Sequence, residues 1–239
     1  MLLGKEVFEF QCTFRRSSKA RRINIRVTEP RKIILTLPKG VSEETGKEFV
    51  KKQGAWIRKN SLLVPRRQTL ASYFTKGSEV CIEDVSKKIN WSVDPNLKQT
   101  KREFNGNFIQ YQFPNESTIE QDLLRECIRL GKEYLPLRLS KLERKVKTFS
   151  HRCRIGNQKS RWGSCSEKGT ISLNWRIILL PNYLGDYIIY HEIAHLVEMN
   201  HSVNFWNQLE KFVTGAKQLD KELMRQGKGI ITLGHPDIV

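Results

Sequence analysis

The chain has 239 residues, 38% of them hydrophobic and 9% aromatic, which allows one large core or two modest ones and excludes a disordered chain. Its 42 Lys and Arg against 25 Asp and Glu leave a formal charge of +17. That excess favours an anionic partner, nucleotide or nucleic acid or an acidic protein surface, although a solvated lysine-rich surface explains it equally well.

No apolar run approaches the roughly 18–20 residues of a membrane span. Lys5 and Glu6 interrupt the start before the apolar core of a signal peptide can form, so neither membrane association nor secretion is expected. The five cysteines, Cys12, Cys81, Cys127, Cys153 and Cys165, include no CxxC pair. A zinc ribbon or disulfide framework is not indicated, and a cytoplasmic location is expected.

In chain order, EVFEFQCTF (6–14), RRINIRV (21–27) and KIILTLP (32–38) alternate as strands, with RRSSKARR (15–22) suited to a basic hairpin tip. VSEETGKEFVKKQGAWIRKN (41–60) changes to a helical period behind Ser42 as N-cap, weakened by two internal glycines. Beyond the basic PRRQ (65–68), EVCIEDV (79–85), INWSV (89–93) and NFIQYQF (107–113) read as further strands. A small β-rich domain over 1–115 follows, and it holds most of the charge: 23 Lys and Arg against 12 Asp and Glu within 1–116.

From residue 116 the texture is helical. Ser117 and Glu120 have capping-box spacing, and Pro136 is expected to kink or interrupt the helix behind them. TFSHRCRIGN (148–157) and GTISLNWRIILLP (169–181) are strand candidates flanking SRWGSCSEKG (160–169). One or two helices fill 202–227.

The chemistry concentrates in HEIAHLVEMNH (191–201). On a helix His191 and His195 lie on one face, one turn apart, and can share a metal ion. Glu192 is rotated by about 100° from His191 and reaches a water beside the metal without being a ligand. A metal held there acidifies water and polarises the electrophile, while Glu192 takes the proton and returns it to the leaving group. His201 would lie about 120° off the shared face on a continuous helix, so the helix must end first, with Asn200 placed to end it. Glu198 and Glu210 are rival third ligands.

SRWGSCS (160–166), ISLNWRIILLP (171–181) and YIIYHEIAHLVEMNHSVNFW (187–206) together resemble the YgjP-like metallopeptidases, relatives of the SprT and Wlm zincins. The stretch 21–59 is also similar to that family's amino-terminal part. The resemblance implies an α+β protein: a small β-rich amino-terminal domain, then a zincin-like domain over 116–239 built on the HExxH helix. It further implies His191, His195 and His201 as metal ligands, Glu192 as catalytic acid/base, one Zn²⁺ per chain (another divalent metal being able to replace it) and a peptide or protein substrate. By the same resemblance TISLNW (170–175) is the edge strand that takes an extended peptide by β-addition. Metzincins share the histidine spacing but carry glycine where this chain has Glu198. No cysteine follows Cys165, so the zinc-ribbon tail of SprT-type proteins is absent.

Arg161, Ser164, Asn174, Arg176, Tyr187 and Tyr190 are candidate cleft or supporting residues. For each a plainer role competes: solvated strand face for Asn174 and Arg176, core packing for the tyrosines. In RWGSCS no base is identifiable for Ser164 or Cys165, so Trp162 is expected to fill core and Gly163 to permit a tight turn. His151 and His235 lack partners at ligand spacing. Three functions follow: a zinc-dependent peptidase, a metal-dependent nucleoside triphosphate or phosphate-ester hydrolase, and a nucleic-acid-associated protease using the basic amino-terminal half. No P-loop or Mg²⁺-type carboxylate cluster supports the second.

Overall fold

Ile33, Leu35 and Leu37 are each at most 1% exposed, and their strand takes the centre of the first sheet. The computed structural model describes residues 10–29, 32–63 and 68–234. β1 (Gln11–Ser17) lies parallel to β3 (Lys32–Pro38), and β2 (Asn24–Glu29) lies antiparallel to it on the other side. The basic segment 15–22 is therefore no hairpin tip: it carries the chain from one edge of the sheet to the other. Positions 6–9 of the first expected strand lie outside the described residues. Ser42 caps α1 (Glu43–Lys52) by accepting the Thr45 N–H at 3.1 Å. The chain breaks at Gln53, so the expected single helix becomes two, α1 and α2 (Gly54–Leu63). Cys12, the three β3 side chains, Val50 and Ile57 close this unit's core.

The chain divides into two compact units between Arg67 and Gln68. In the second, α3 (Leu70–Thr75) precedes a four-stranded sheet of order β4-β5-β7-β6. β4 (Glu79–Ile82) and β5 (Val85–Val93) meet at Glu83 and Asp84, both at positive φ, as a two-residue hairpin turn of the primed type requires. β6 (Lys101–Asn105) went unread because its charged residues hide any alternation; it pairs with β7 (Phe108–Phe113). Val80, Ile82, Ile89, Ile109, Tyr111 and Phe113 share one core with the helices that follow. The boundary expected at 115/116 therefore falls inside this packed body.

α4 (Ile119–Val146) runs through Pro136 for 28 residues without interruption. The capping box does not form. Asn115 caps the preceding turn by accepting the Ser117 N–H at 2.9 Å. Glu120 instead accepts the N–H groups of Leu70 at 2.7 Å and Ala71 at 3.0 Å, capping α3 from fifty residues away.

β8 (Arg152–Gly156), β9 (Gly163–Cys165) and β10 (Thr170–Asn174) form a third sheet of order β8-β10-β9. β10 is its central strand, with neighbours on both sides, so 170–175 offers no free edge for an added peptide; the edges are β8 and β9. The strand expected to continue to Pro181 ends at Asn174. There the side-chain oxygen accepts the Arg176 N–H at 3.1 Å and starts a 3-10 turn, Trp175–Leu179.

Asn174 and Arg176 are fully buried and serve this corner rather than a cleft. The Asn174 amide donates to the carbonyls of Gln158 and Arg161, at 2.9 and 3.0 Å. Arg176 donates to Asn157 Oδ1 at 2.7 Å and to the Leu233 carbonyl at 2.6 Å, with its guanidinium 4.4 Å from the Trp175 ring centroid. Burial lowers its pKa to about 10. Arg176→Ala is expected to cost about 3 kcal/mol or more, because it opens a cavity and strands buried acceptors. Urea denaturation checks this, and a loss below about 1 kcal/mol would contradict it.

Candidate metal centre

The motif helix α5 (Asn182–Ala194) is apolar on nearly every side, and Leu184, Ile188, Ile189 and Ile193 are buried among the neighbouring elements. Burying each such side chain contributes about 1.5–3 kcal/mol, which fixes the helix that presents the site. The helix ends at Ala194, earlier than expected, and Asn200 is not left-handed. A turn follows, with Val197 and Glu198 both donating to the Ala194 carbonyl at 3.0 Å. Ser202 then caps α6 (Val203–Phe212) by accepting the Phe205 N–H. His201 stands just before that cap, so the new helix rather than the old one sets its position.

This local folding brings three imidazoles together. One ring nitrogen from each of His191, His195 and His201 lies within 4.8 Å of the others, and the Nε2 atoms of His191 and His201 are 3.0 Å apart. Nitrogens around a tetrahedral centre at about 2.0–2.1 Å stand roughly 3.3 Å apart, so the trio brackets the spacing a zinc ion needs. The His195 Nδ1 lies 3.0 Å from the Glu198 carbonyl oxygen. Donation there fixes the tautomer that leaves Nε2 free to bind a cation. Phe205 is fully buried beneath all three rings, with centroids 4.9, 4.5 and 4.7 Å from His191, His195 and His201. Its placement as the floor of the trio was not foreseen; the signal was the position three residues after a capping serine.

Burial, then the neighbouring histidines, push His191 down to about 3, and burial also lowers His195. Both rings therefore stay neutral, the form that binds metal. Of the rival ligands, Glu198 contributes its main-chain carbonyl to His195. Glu210 is engaged elsewhere: its carboxylate accepts the N–H groups of Gly215 at 2.6 Å and Ala216 at 2.9 Å, capping α7 (Ala216–Ile230).

Glu192 is 5% exposed, and its Oε2 has no hydrogen-bond partner among the described residues. Burial raises its pKa to about 8, against the opposing charge of Arg161. It lines a cavity of about 210 Å³ together with Arg161, Gly163, Tyr187, His191 and Asp220. Asp220, unread in the sequence, accepts the Tyr187 hydroxyl at 3.0 Å. Gly163 backs the carboxylate so closely that an added Cβ would lie 2.4 Å from Oε1. Trp162 is anchored in the same way, because a Cβ at Gly227 of α7 would lie 2.7 Å from its ring.

Of the other candidates, Arg161 and Tyr187 line the cavity. Ser164 sits within β9, in register with Ser172 of β10. Tyr190 packs against Phe212 in the core. Cys165 is held as a thiol, its pKa raised to about 11 by burial and then by Glu192, which removes it as a nucleophile at neutral pH. His151 is exposed, and His235 lies outside the described residues.

The Glu192 shift predicts a pH dependence for the metal-free protein. Between about 4.5 and 8 the folded state keeps a proton that the unfolded state releases, so stability falls as pH rises through that window. The depressed His191 acts in the opposite direction, costing stability as pH drops below 6.5. Above pH 6.5 the contribution of His191 and His195 fades and the glutamate dominates. Chelated protein is expected to lose about 1–2 kcal/mol from pH 6.5 to 8 in urea titrations, and Glu192→Gln to flatten the curve. A flat wild-type curve would contradict the buried, unpaired carboxylate.

The sequence profile of the YgjP-like metallopeptidase domain matches residues 21–226. The chain belongs to the YgjP-like metallopeptidase family. Two solved structures are similar over part of it. The metallopeptidase zymogen abylysin of Pyrococcus abyssi shares 29% identity over 37% of this chain and 91% of its own, with a TM-score of 0.33. The zymogen jannalysin of Methanocaldococcus jannaschii shares 21% identity over the same proportions, also with a TM-score of 0.33. No curated protein sequence matches significantly. As a YgjP-like metallopeptidase the chain is a hydrolase that acts with a divalent metal. No helix among the described residues is long and apolar enough to cross a membrane.

Proposed function

We propose that this YgjP-like protein is a zinc-dependent peptidase in which His191, His195 and His201 hold the ion and Glu192 moves the proton. The observation that carries the reading is a buried carboxylate with one unpartnered oxygen, sharing a cavity with the first of three converging imidazoles. When bound, the ion supplies a Lewis acid that acidifies water and polarises the scissile carbonyl. Glu192 accepts the water's proton at its free oxygen and returns it to the leaving amine. A carboxylate with its pKa raised towards neutrality suits both halves of that transfer. Phe205 keeps the floor of the site dry, and the His195–Glu198 contact keeps that ring in one orientation.

Phosphate-ester chemistry has less support at this centre. The sequence holds no P-loop, and among the described residues the group of His, Cys, Asp and Glu placed to hold a metal is the histidine trio, not a carboxylate cluster of the Mg²⁺ type. Zinc-loaded wild type and Glu192→Gln, incubated with a peptide library and a nucleotide mixture and read by mass spectrometry, test the proposal. New peptide termini from wild type alone are the expected result. Loss of nucleoside triphosphates without new termini would overturn the peptidase reading.

A further inference from the structure

The first compact unit carries a concentration of positive charge that the metal centre does not use. Residues 10–63 hold 14 Lys and Arg against 4 Asp and Glu. Within this unit a groove of about 330 Å³ lies at the β2 edge, lined by Arg22, Asn24, Ile25, Phe49, Gln53 and Trp56. Its floor is apolar: Ile25 and Phe49 pack against the unit's core. Trp56 stands apart from that core on α2 and is 47% exposed. A half-solvated indole contributes little to folding, yet it presents a flat π-face beside the groove. Arg22 lines the groove and Arg21 adjoins it in the chain; both are exposed, and among the described residues no hydrogen bond or ion pair engages their guanidinium groups.

We propose that this groove binds single-stranded nucleic acid, with a base stacked on Trp56 and phosphates held by Arg22 and the adjacent Arg21. Charge complementarity requires an anionic occupant, and the aromatic face selects which one. An acidic peptide satisfies the arginines but leaves the indole without a planar partner. A duplex meets the charge but hides its base faces within the stack. A single strand uses both features at once, with Asn24 and Gln53 offering amide donors and acceptors to base edges. The site is independent of the peptidase reading and stands or falls separately from it.

The test uses the full chain and a fluorescent oligouridine of about 15 nucleotides, followed by anisotropy at several salt concentrations. Trp56→Ala is expected to weaken binding about tenfold or more, and Trp56→Phe to keep most of the affinity. Replacing Arg21 and Arg22 together by alanine should flatten the slope of log affinity against log salt by about 1.4, the value for two lost phosphate contacts on a single strand. Both sites are exposed, and thermal melts verify that the variants stay folded. Absence of binding, equal binding of polyglutamate, preference for duplex, or unchanged affinity in Trp56→Ala would each overturn the proposal.

Discussion

Glu192→Gln is expected to retain about one zinc ion per chain while losing about 10²–10⁴-fold in turnover, the usual contribution of a positioned general base. The two readouts separate because Glu192 lies beside the proposed ligand set, not within it: the imidazole nitrogens of His191, His195 and His201 converge without it. Glutamine keeps the shape and removes only proton transfer. The substitution also replaces a buried group whose Oε2 has no partner among the described residues, so the variant should melt no lower than wild type. Metal analysis, a melt and peptide turnover on one preparation check all three. Full activity in the variant would remove Glu192 from the proposed chemistry.

Gly163→Ala is expected to lower turnover about a hundredfold without removing the metal. The new Cβ would lie 2.4 Å from Glu192 Oε1 and 2.7 Å from its Cδ and Cγ, closer than side chains tolerate. The strand cannot withdraw. Gly163 is in register with Leu173, the Asn174 N–H donates to the Trp162 carbonyl at 2.7 Å, and the Asn174 amide holds the Arg161 carbonyl. The carboxylate must therefore move by roughly 1 Å, a misplacement that costs about 10²-fold in a reaction that depends on alignment. Gly229→Ala, where an added Cβ meets nothing within 4 Å, is the matched control and should behave as wild type. Unchanged kcat in Gly163→Ala would show that the carboxylate works from another position.

The centre was legible because its signals are local. His191, Glu192 and His195 fall within one turn and a half of helix, where spacing alone sets direction. His201 was legible only as a requirement that the helix end before it. The actual end at Ala194, and the capping role of Ser202, depend on how α6 packs rather than on any breaker residue. What failed was long-range. Glu120 has the spacing of a capping box but serves α3, because a partner fifty residues away is invisible to local pattern. β10 was expected at an edge and lies at the centre, since strand order is decided by pairing with β8 and β9. Asn174 and Arg176 looked like solvated or cleft residues, yet their polar groups are satisfied inside a corner whose existence no periodicity announces. Asp220 joined the cavity by tertiary folding alone.

Zinc K-edge absorption spectroscopy on the wild-type protein, reconstituted to about one ion per chain, tests the proposed metal centre most directly. About four nitrogen or oxygen scatterers at about 2.0–2.1 Å, with an imidazole outer-shell contribution of three rings that falls to two in His201→Ala, are the predicted result. A sulfur scatterer at about 2.3 Å, or a wild-type spectrum unchanged in His201→Ala, would contradict it.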